Sequence, residues 1–197
     1  MKHLKRTMIL LLAAVMMTAF AACSSSPAST TSTASSASSA QESGEESTPS
    51  DNSGVAEGTA IQITDSFSIS DPEGLDYDTR YVYQGSTGST LINNMQMSGY
   101  NAQAMYEILY AKDGQAVGEY QVIVAADEAA ATSLLDFFQS QGQTLTQEGN
   151  VIYIYSDTDM IQATVATYSG MGVFSGTSAQ DYLDWFASYN GLVEYQP

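Results

Sequence analysis

Apolar and polar residues alternate, or recur at helical spacing, over most of the chain from residue 57 onward. Residues 59–70 carry an isoleucine or a phenylalanine at nearly every second position, which is typical of a strand with one buried face. Asp65 interrupts this alternation and indicates a bulge. Residues 77–83 predict a second strand whose three tyrosines share one face. Residues 85–99 are predicted mostly as loop, with room for a strand over 89–97.

The centre of the sequence has the pattern of a β-hairpin. Residues 105–111 and 117–125 are rich in strand-forming residues and flank Asp113-Gly114, a dipeptide typical of two-residue hairpin turns. The segment from Met105 to Ala111 is also compatible with a helix, because Asn101 could cap its start and Gly114 could end it. Both alternatives stay open on the sequence alone, and the hairpin is the favoured one.

Three later segments carry apolar residues at helical spacing between capping residues. They run from Asp127 to Gly142, from Asp157 or Thr158 to Tyr168, and from Ser178 to Gly191. The apolar residues expected to be buried are Ala131, Leu134, Leu135 and Phe138 in the first, and Tyr182, Leu183, Phe186 and Tyr189 in the third. Strands are predicted over residues 151–155 and 192–195. The sequence therefore predicts an α+β fold over residues 57–197, a single small domain with two to three helices packed on one face of a mainly antiparallel sheet.

Residues 1–22 have the layout of a secretory signal peptide. A basic start precedes an unbroken apolar run over residues 8–17, and mostly small residues follow it. The apolar run is about half as long as a bilayer-spanning helix, which needs about 20 apolar residues. Export of the chain from the cytoplasm is therefore predicted.

Residues 20–23 read Phe-Ala-Ala-Cys and resemble the lipobox of bacterial lipoproteins, and Cys23 is the only cysteine of the chain. The resemblance implies that the Cys23 thiol receives a diacylglyceryl group, with acyl chains such as palmitate, and becomes the first residue after cleavage. Phe20 departs from the aliphatic residue that is usual in the family. Two acyl chains hold a protein stably on a membrane, so the expected location is the outer face of the cell membrane. An ordinary signal peptide that leaves a free cysteine is the alternative.

Residues 24–56 are predicted to form a disordered linker between Cys23 and the domain. About half of them are serine or threonine, and four carboxylates add like charge. Such a composition buries too little apolar surface to offset the entropy lost on ordering. A flexible coil of this length spans roughly 30 Å, which would lift the domain clear of the lipid headgroups.

Charge and composition exclude several functions. Without the signal peptide, only Arg80 and Lys112 oppose 22 carboxylates, and no histidine remains. Two cations cannot neutralise enough phosphates for useful nucleic-acid affinity. Catalysis by a histidine-activated serine or cysteine is excluded, as are zinc, haem and copper sites that rely on His or Cys. The glycine-rich segments lack the Lys or Arg of a phosphate cradle, so no cofactor is predicted.

Carboxylates are the remaining candidates for chemistry. Glu148, Asp157 and Asp159 flank one predicted strand and could converge at one of its ends as the acid pair of a glycoside hydrolase. Helix capping is the favoured interpretation of the two aspartates. The segment from Asp71 to Asp78 places four carboxylates within eight residues, and such hard oxygen ligands suit calcium. An acidic solvent-exposed turn is the favoured interpretation, so no metal site is predicted, and calcium binding by this loop stays open.

The predicted function is that of a membrane-anchored extracytoplasmic lipoprotein of the cell envelope. It would be a non-catalytic binding or accessory module with a protein or glycan partner, because 13 tyrosines, all after residue 76, offer amphipathic contact surface. Trp185 is expected to pack in the core rather than hold a sugar ring. The alternative function is a carboxylate-dependent hydrolase acting on cell-wall or other glycans. Residues 120–168 also resemble small lipoprotein domains of unknown function from Gram-positive anaerobes, a resemblance that implies no activity.

Overall fold

A six-stranded antiparallel sheet with a covering layer on each face forms the centre of the structure. The computed structural model describes residues 58–140 and 142–196, and the predicted signal peptide, Cys23 and the linker lie outside these residues. The strands are β1 (Ile61–Thr64), β2 (Phe67–Ile69), β3 (Thr79–Ser86), β4 (Ala102–Lys112), β5 (Gln115–Ala125), β6 (Thr146–Glu148), β7 (Val151–Ser156) and β8 (Val193–Glu194). The helices are α1 (Thr90–Met97), α2 (Glu128–Ser140), α3 (Thr158–Gly170) and α4 (Ala179–Asn190). The predicted α+β class is confirmed, with four helices among the described residues instead of two or three.

The main sheet has the strand order β6-β7-β5-β4-β3-β8, and all neighbouring strands are antiparallel. Its two longest strands, β4 and β5, are joined at Asp113-Gly114, as the hairpin prediction requires. Both turn residues have a positive φ, 50° and 74°, which matches the right-handed twist of the flanking strands. The alternative of a helix from Met105 to Ala111 is wrong, because every one of these residues pairs with both β3 and β5.

The four helices cover one face of the sheet and form the larger core with it. Leu109 and Ile123 from the sheet pack there with Leu134 from α2, Ile161 from α3 and Leu183 from α4, all 3% exposed or less. Full burial of one such side chain stabilises the fold by roughly 1.5–3 kcal/mol. Within residues 58–140 and 142–196, none of the helices has both the length and the apolar character needed to cross a membrane.

The three predicted helices are confirmed together with their capping residues. Asp127 accepts a hydrogen bond from the Ala130 amide at 2.8 Å, and Asp157 and Ser178 are the N-caps of α3 and α4. The predicted buried stripe of α4 is correct except at Tyr189, which is 50% exposed.

The hairpin β1–β2 covers the other face of the sheet, where the sequence predicted one bulged strand. Asp65 and Ser66 are exposed and form the turn between the two strands. The register shifts between Gln62 and Thr64, so that Ile63 is the extra residue. This irregularity keeps the odd-numbered positions of both strands on the buried side, which is why the pattern resembled a single strand. Tyr77 also differs from its prediction, because it precedes β3 and packs on this face, 5.1 Å from the ring of Tyr110.

Helix α1 lies where a loop or a strand was predicted. The Ser89 hydroxyl caps it by accepting a hydrogen bond from the Ile92 amide at 3.4 Å. Leu91, Ile92 and Met95 are its buried residues. An eight-residue helix completes only about two turns, so its apolar spacing cannot be distinguished from that of a strand. Strand β6 was not predicted either, because its three residues are all polar and show no apolar alternation.

Removal of the α4 cap should have a local and measurable cost. Ser178 and Asp181 form a reciprocal capping box, in which the Asp181 amide donates to the Ser178 hydroxyl at 3.1 Å and the Ser178 amide donates to the Asp181 carboxylate at 3.1 Å. We expect Ser178→Ala to lower the free energy of unfolding by about 1 kcal/mol, measured by urea titration. Ser188→Ala, at an exposed position inside the same helix, is the matched control. An equal loss in both variants would contradict the capping role.

Candidate functional site

The three carboxylates considered for glycoside hydrolysis lie apart in the structure. Glu148 pairs with Val151 at the start of β7, whereas Asp157 follows the last residue of that strand. Six strand residues at about 3.3 Å each place these positions roughly 20 Å apart, and a hydrolytic pair needs about 5–10 Å. Asp157 accepts a hydrogen bond from the Met160 amide at 3.0 Å, and Asp159 is exposed in the first turn of α3. The helix-cap interpretation of Asp157 is confirmed.

The four carboxylates from Asp71 to Asp78 have separate surroundings. Glu73 is exposed. Asp71 pairs with Arg80 at 2.6 Å, and Asp76 pairs with Lys112 at 3.1 Å. Asp78 accepts a hydrogen bond from the Asp113 amide at 2.9 Å. In the part of the chain that the structure describes, no three His, Cys, Asp or Glu side chains come together as metal ligands. The spacing of these carboxylates in the sequence therefore does not translate into a shared site.

Asp71 connects the start of the described chain to the main sheet. Its carboxylate accepts hydrogen bonds from Arg80 at 2.6 Å and from the Tyr77 hydroxyl at 2.5 Å. It also accepts hydrogen bonds from the Tyr110 hydroxyl at 3.2 Å and from the Gly58 amide at 3.0 Å. Arg80 is 2% exposed and also donates to the Thr59 carbonyl at 2.9 Å. Burial alone would raise the pKa of Asp71, but the hydrogen bonds from Tyr77 and Arg80 outweigh it and lower that pKa. Burial and the neighbouring Asp71 raise the pKa of Tyr77 to about 12.

Two glutamates that the sequence did not single out lie beneath the helices on the central strands. Glu107 in β4 is 0% exposed and Glu119 in β5 is 4% exposed. Glu107 pairs with Gln121, and Glu119 pairs with Leu109, so the two carboxyl groups are diagonal neighbours on one face of the sheet. Carboxyl groups are almost never fully buried unless they are paired, so this pair is the strongest candidate for a special role in the interior.

The two members of the pair differ in their hydrogen bonding. The Glu119 carboxylate accepts hydrogen bonds from the Tyr182 hydroxyl at 2.7 Å, the Ser156 hydroxyl at 3.2 Å and the Gln121 amide at 3.4 Å. Neither oxygen of Glu107 has a donor with good hydrogen-bond geometry among the described residues, although the Gln121 side chain across the strand pair is near enough to lower the pKa of Glu107 by a minor amount. A proton on Glu107 supplies the missing interaction, because Glu107 can then donate it to Glu119.

Electrostatics favours the protonated form of Glu107. Burial raises the pKa of Glu107 well above its ordinary value, and the charge of Glu119 and the hydrogen bond to it act in the same direction. A second buried negative charge would be costly, because the interior solvates charge poorly. A proton on Glu107 removes that second charge.

Two tyrosines from the helical layer enclose the pair. Tyr182 in α4 is 0% exposed, and burial together with the neighbouring Glu119 carboxylate raises its pKa. Tyr168 in α3 is 3% exposed, and its hydroxyl has no hydrogen-bond partner within the described residues. Burial raises the pKa of Tyr168, and Glu119 is close enough to raise it further. An unsatisfied buried hydroxyl costs roughly 1–3 kcal/mol, so this region is polar without being fully hydrogen bonded.

A small cleft opens between β5 and α3. It has a volume of about 160 Å³ and is lined by Gln115, Ala116, Gln162, Val165, Ala166 and Thr177. Val117 is the extra residue of a register shift, so Ala116 and Glu119 are successive helix-facing residues of β5. Val165 lies one helical turn before Tyr168 on α3. The cleft is smaller than a typical ligand pocket of about 300–1,000 Å³.

The outer side of α4 carries a stack of aromatic rings. Trp185 stacks with Phe174 and with Tyr189, with ring centroids 5.6 and 6.1 Å away and interplanar angles of 25° and 29°. The prediction that Trp185 packs against the core is confirmed. Tyr189 is 50% exposed, and Met171, three residues before Phe174, is 68% exposed. We call Met171, Phe174, Trp185 and Tyr189 the aromatic patch.

The alternation of side chains between the two faces of a strand is the signal that could have identified the glutamate pair. Glu107 lies two residues from Met105 and two from Leu109, and both of these residues are buried under the helices. Side chains at every second position of a strand share a face, so the hairpin prediction already placed Glu107 in the core. A carboxyl group at such a position indicates either a partner or a raised pKa.

Comparison with known proteins gave no match, since no protein-family model, curated protein or solved structure is significantly similar to this chain.

Proposed function

We propose that the protein is a lipid-anchored, extracytoplasmic binding module that docks a basic protein on its aromatic patch. The observation that supports this function is the exposure of Tyr189, which stacks on the Trp185 ring, together with the exposure of Met171 at the end of α3. Grouped apolar side chains on an otherwise polar surface mark interaction sites. Tyrosine, tryptophan and methionine are also the residues enriched in protein interfaces.

The charge of the domain favours a basic protein over other partners. Among the described residues the only cations are Arg80, which is buried, and Lys112. Asp184 is exposed on α4, the helix that carries Trp185 and Tyr189. Complementary charge steers such partners together, whereas an anionic membrane surface would repel this domain. A glycan is disfavoured because the Trp185 ring, on which a sugar would stack, already stacks with Phe174 and Tyr189.

The anchor is proposed from the resemblance of residues 20–23 to a lipobox. Metabolic labelling with an alkyne fatty acid should label the wild-type protein, which should fractionate with membranes. Cys23→Ser should abolish the label and release the protein from the membrane fraction, because the thiol is the acylated group. Equal labelling of both proteins, or recovery of wild-type protein from the cytosol, would contradict the anchor.

Docking can be tested by placing a photo-crosslinking amino acid at position 189 of the full-length protein in intact cells. We expect a discrete protein adduct from position 189 and from position 171. Position 133 is the control, because Ser133 is exposed on α2, outside the patch. The same adducts from position 133, or lipid adducts alone at position 189, would contradict protein docking on the patch.

A further inference from the structure

We propose that the proton shared by Glu107 and Glu119 holds the α3–α4 layer on the sheet, and that loss of this proton loosens that layer together with the aromatic patch. The inference rests on the proposed function, since it concerns the regulation of the same patch. It predicts a docking surface that is fixed at acidic pH and mobile at alkaline pH.

The pair lies at the contact between the sheet and both of these helices. Glu119 accepts the Tyr182 hydroxyl of α4 at 2.7 Å, and it interacts electrostatically with Tyr168 of α3. Glu119 thus holds α4 by a hydrogen bond and acts on α3 through its charge, so a displacement of Glu119 affects both helices.

A single layer of rings separates the pair from the patch. The Trp185 ring lies 5.1 Å from Tyr168 and 6.0 Å from Tyr182, measured between centroids. Trp185 also stacks with Tyr189, which is half exposed. A change in the position of the two tyrosines therefore reaches the docking residues through direct packing contacts.

Release of the proton to solvent leaves two neighbouring carboxylates in the interior. The titratable groups that face Glu107 and Glu119 from the packed elements are phenols, namely Tyr83 directly across from Glu107 on β3, Tyr168 on α3 and Tyr182 on α4. None of them is a cation, and Arg80 lies on the opposite face of the sheet. The repulsion can then be relieved by separation of the helical layer from the sheet or by entry of water, and the cleft lined by Ala116 and Val165 is one opening between β5 and α3.

Trp185 is the only tryptophan of the chain and serves as a built-in reporter. We expect the full-length protein, excited at 295 nm between pH 5 and pH 9, to show a red shift of tryptophan emission. Acrylamide quenching should rise severalfold through the same transition, while far-UV circular dichroism stays constant. Glu107→Gln keeps a neutral donor next to Glu119, so this variant should show no transition.

A second variant, Glu119→Gln, tests the proposal if Glu107→Gln does not fold well. Glu119→Gln removes the charge beside Glu107, so the transition should move to lower pH. Three results would overturn the proposal: no transition in the wild type, the same transition in Glu107→Gln, or reversal of the alkaline transition by millimolar calcium, which would assign the pair to a cation instead of a proton.

The crosslinking experiment separates this inference from the proposed function. Adducts from position 189 that are equally strong at pH 5.5 and pH 8.5 would leave docking intact and overturn its regulation. Complete absence of adducts at both values, with a normal fluorescence transition, would instead overturn docking and leave the proton-dependent layer in place.

Discussion

Replacing Asp71 with alanine is expected to lower the free energy of unfolding by about 3–5 kcal/mol, because one partner of a buried ion pair is lost. Arg80 would keep a buried guanidinium group, since its side chain is only 1% exposed, and would lose the carboxylate that lies at 2.6 Å. The hydroxyls of Tyr77 and Tyr110 would lose their shared acceptor as well. Guanidinium chloride titration at neutral pH measures the effect.

Asp76→Ala is the matched control for this prediction. It removes a carboxylate from the same acidic segment, but the ion pair of Asp76 with Lys112 is exposed, with 83% of the Asp76 side chain in solvent. Exposed ion pairs contribute little to stability, so we expect almost no change. Comparable losses in the two variants would mean that the Asp71 network is not the structural connection described above.

Raising the pH from 5 to 8 is expected to lower the free energy of unfolding of the wild-type protein by about 1.4 kcal/mol per pH unit as long as Glu107 keeps its proton in the folded state. The pKa of Glu107 is raised on folding, mainly by burial. Its stabilising contribution is therefore complete below the ordinary glutamate pKa of about 4.3. It decreases as the pH rises above that value, and it is fully lost once the pH has passed the raised pKa.

Urea titrations of the wild type and of Glu107→Gln at several pH values measure this slope. The variant retains the general repulsion among surface carboxylates but has no proton to lose at position 107, so its stability should depend less on pH. The lowered pKa of Asp71 acts in a different window, because its contribution is lost only as the pH falls through that lowered value. Identical slopes in the two proteins would show that Glu107 carries no raised pKa.

The fold could be predicted from the sequence where two signals coincide. β4, β5, α2 and α4 each combine a clear apolar period with capping or turn residues, such as Asp113-Gly114 in the hairpin and Ser178 before α4. α1 gives only one weak signal, because its eight residues carry too few apolar positions to define a period. The covering of the second face by β1 and β2 depends on contacts between distant residues, which local patterns do not report.

The candidate site could be predicted only in part, because its residues are dispersed in the chain. Glu107 and Glu119 are twelve positions apart and meet through the pairing of β4 with β5. Tyr168 and Tyr182 reach them from two helices whose packing on the sheet is a tertiary property. Conversely, Asp71 to Asp78 are close in sequence and yet point to separate partners. Proximity in the sequence is therefore a poor guide to charge clusters in this domain.

The contacts of Gly58 and Thr59 also determine how the domain would bear mechanical load. In the proposed anchored protein, tension on the linker enters at these two residues, which are bound by Asp71 and Arg80. Arg80 belongs to β3, which is flanked by β4 and β8 in the sheet. The force therefore acts on β3, an interior strand, through side-chain contacts. It does not separate an edge strand from the sheet by breaking one hydrogen bond after another.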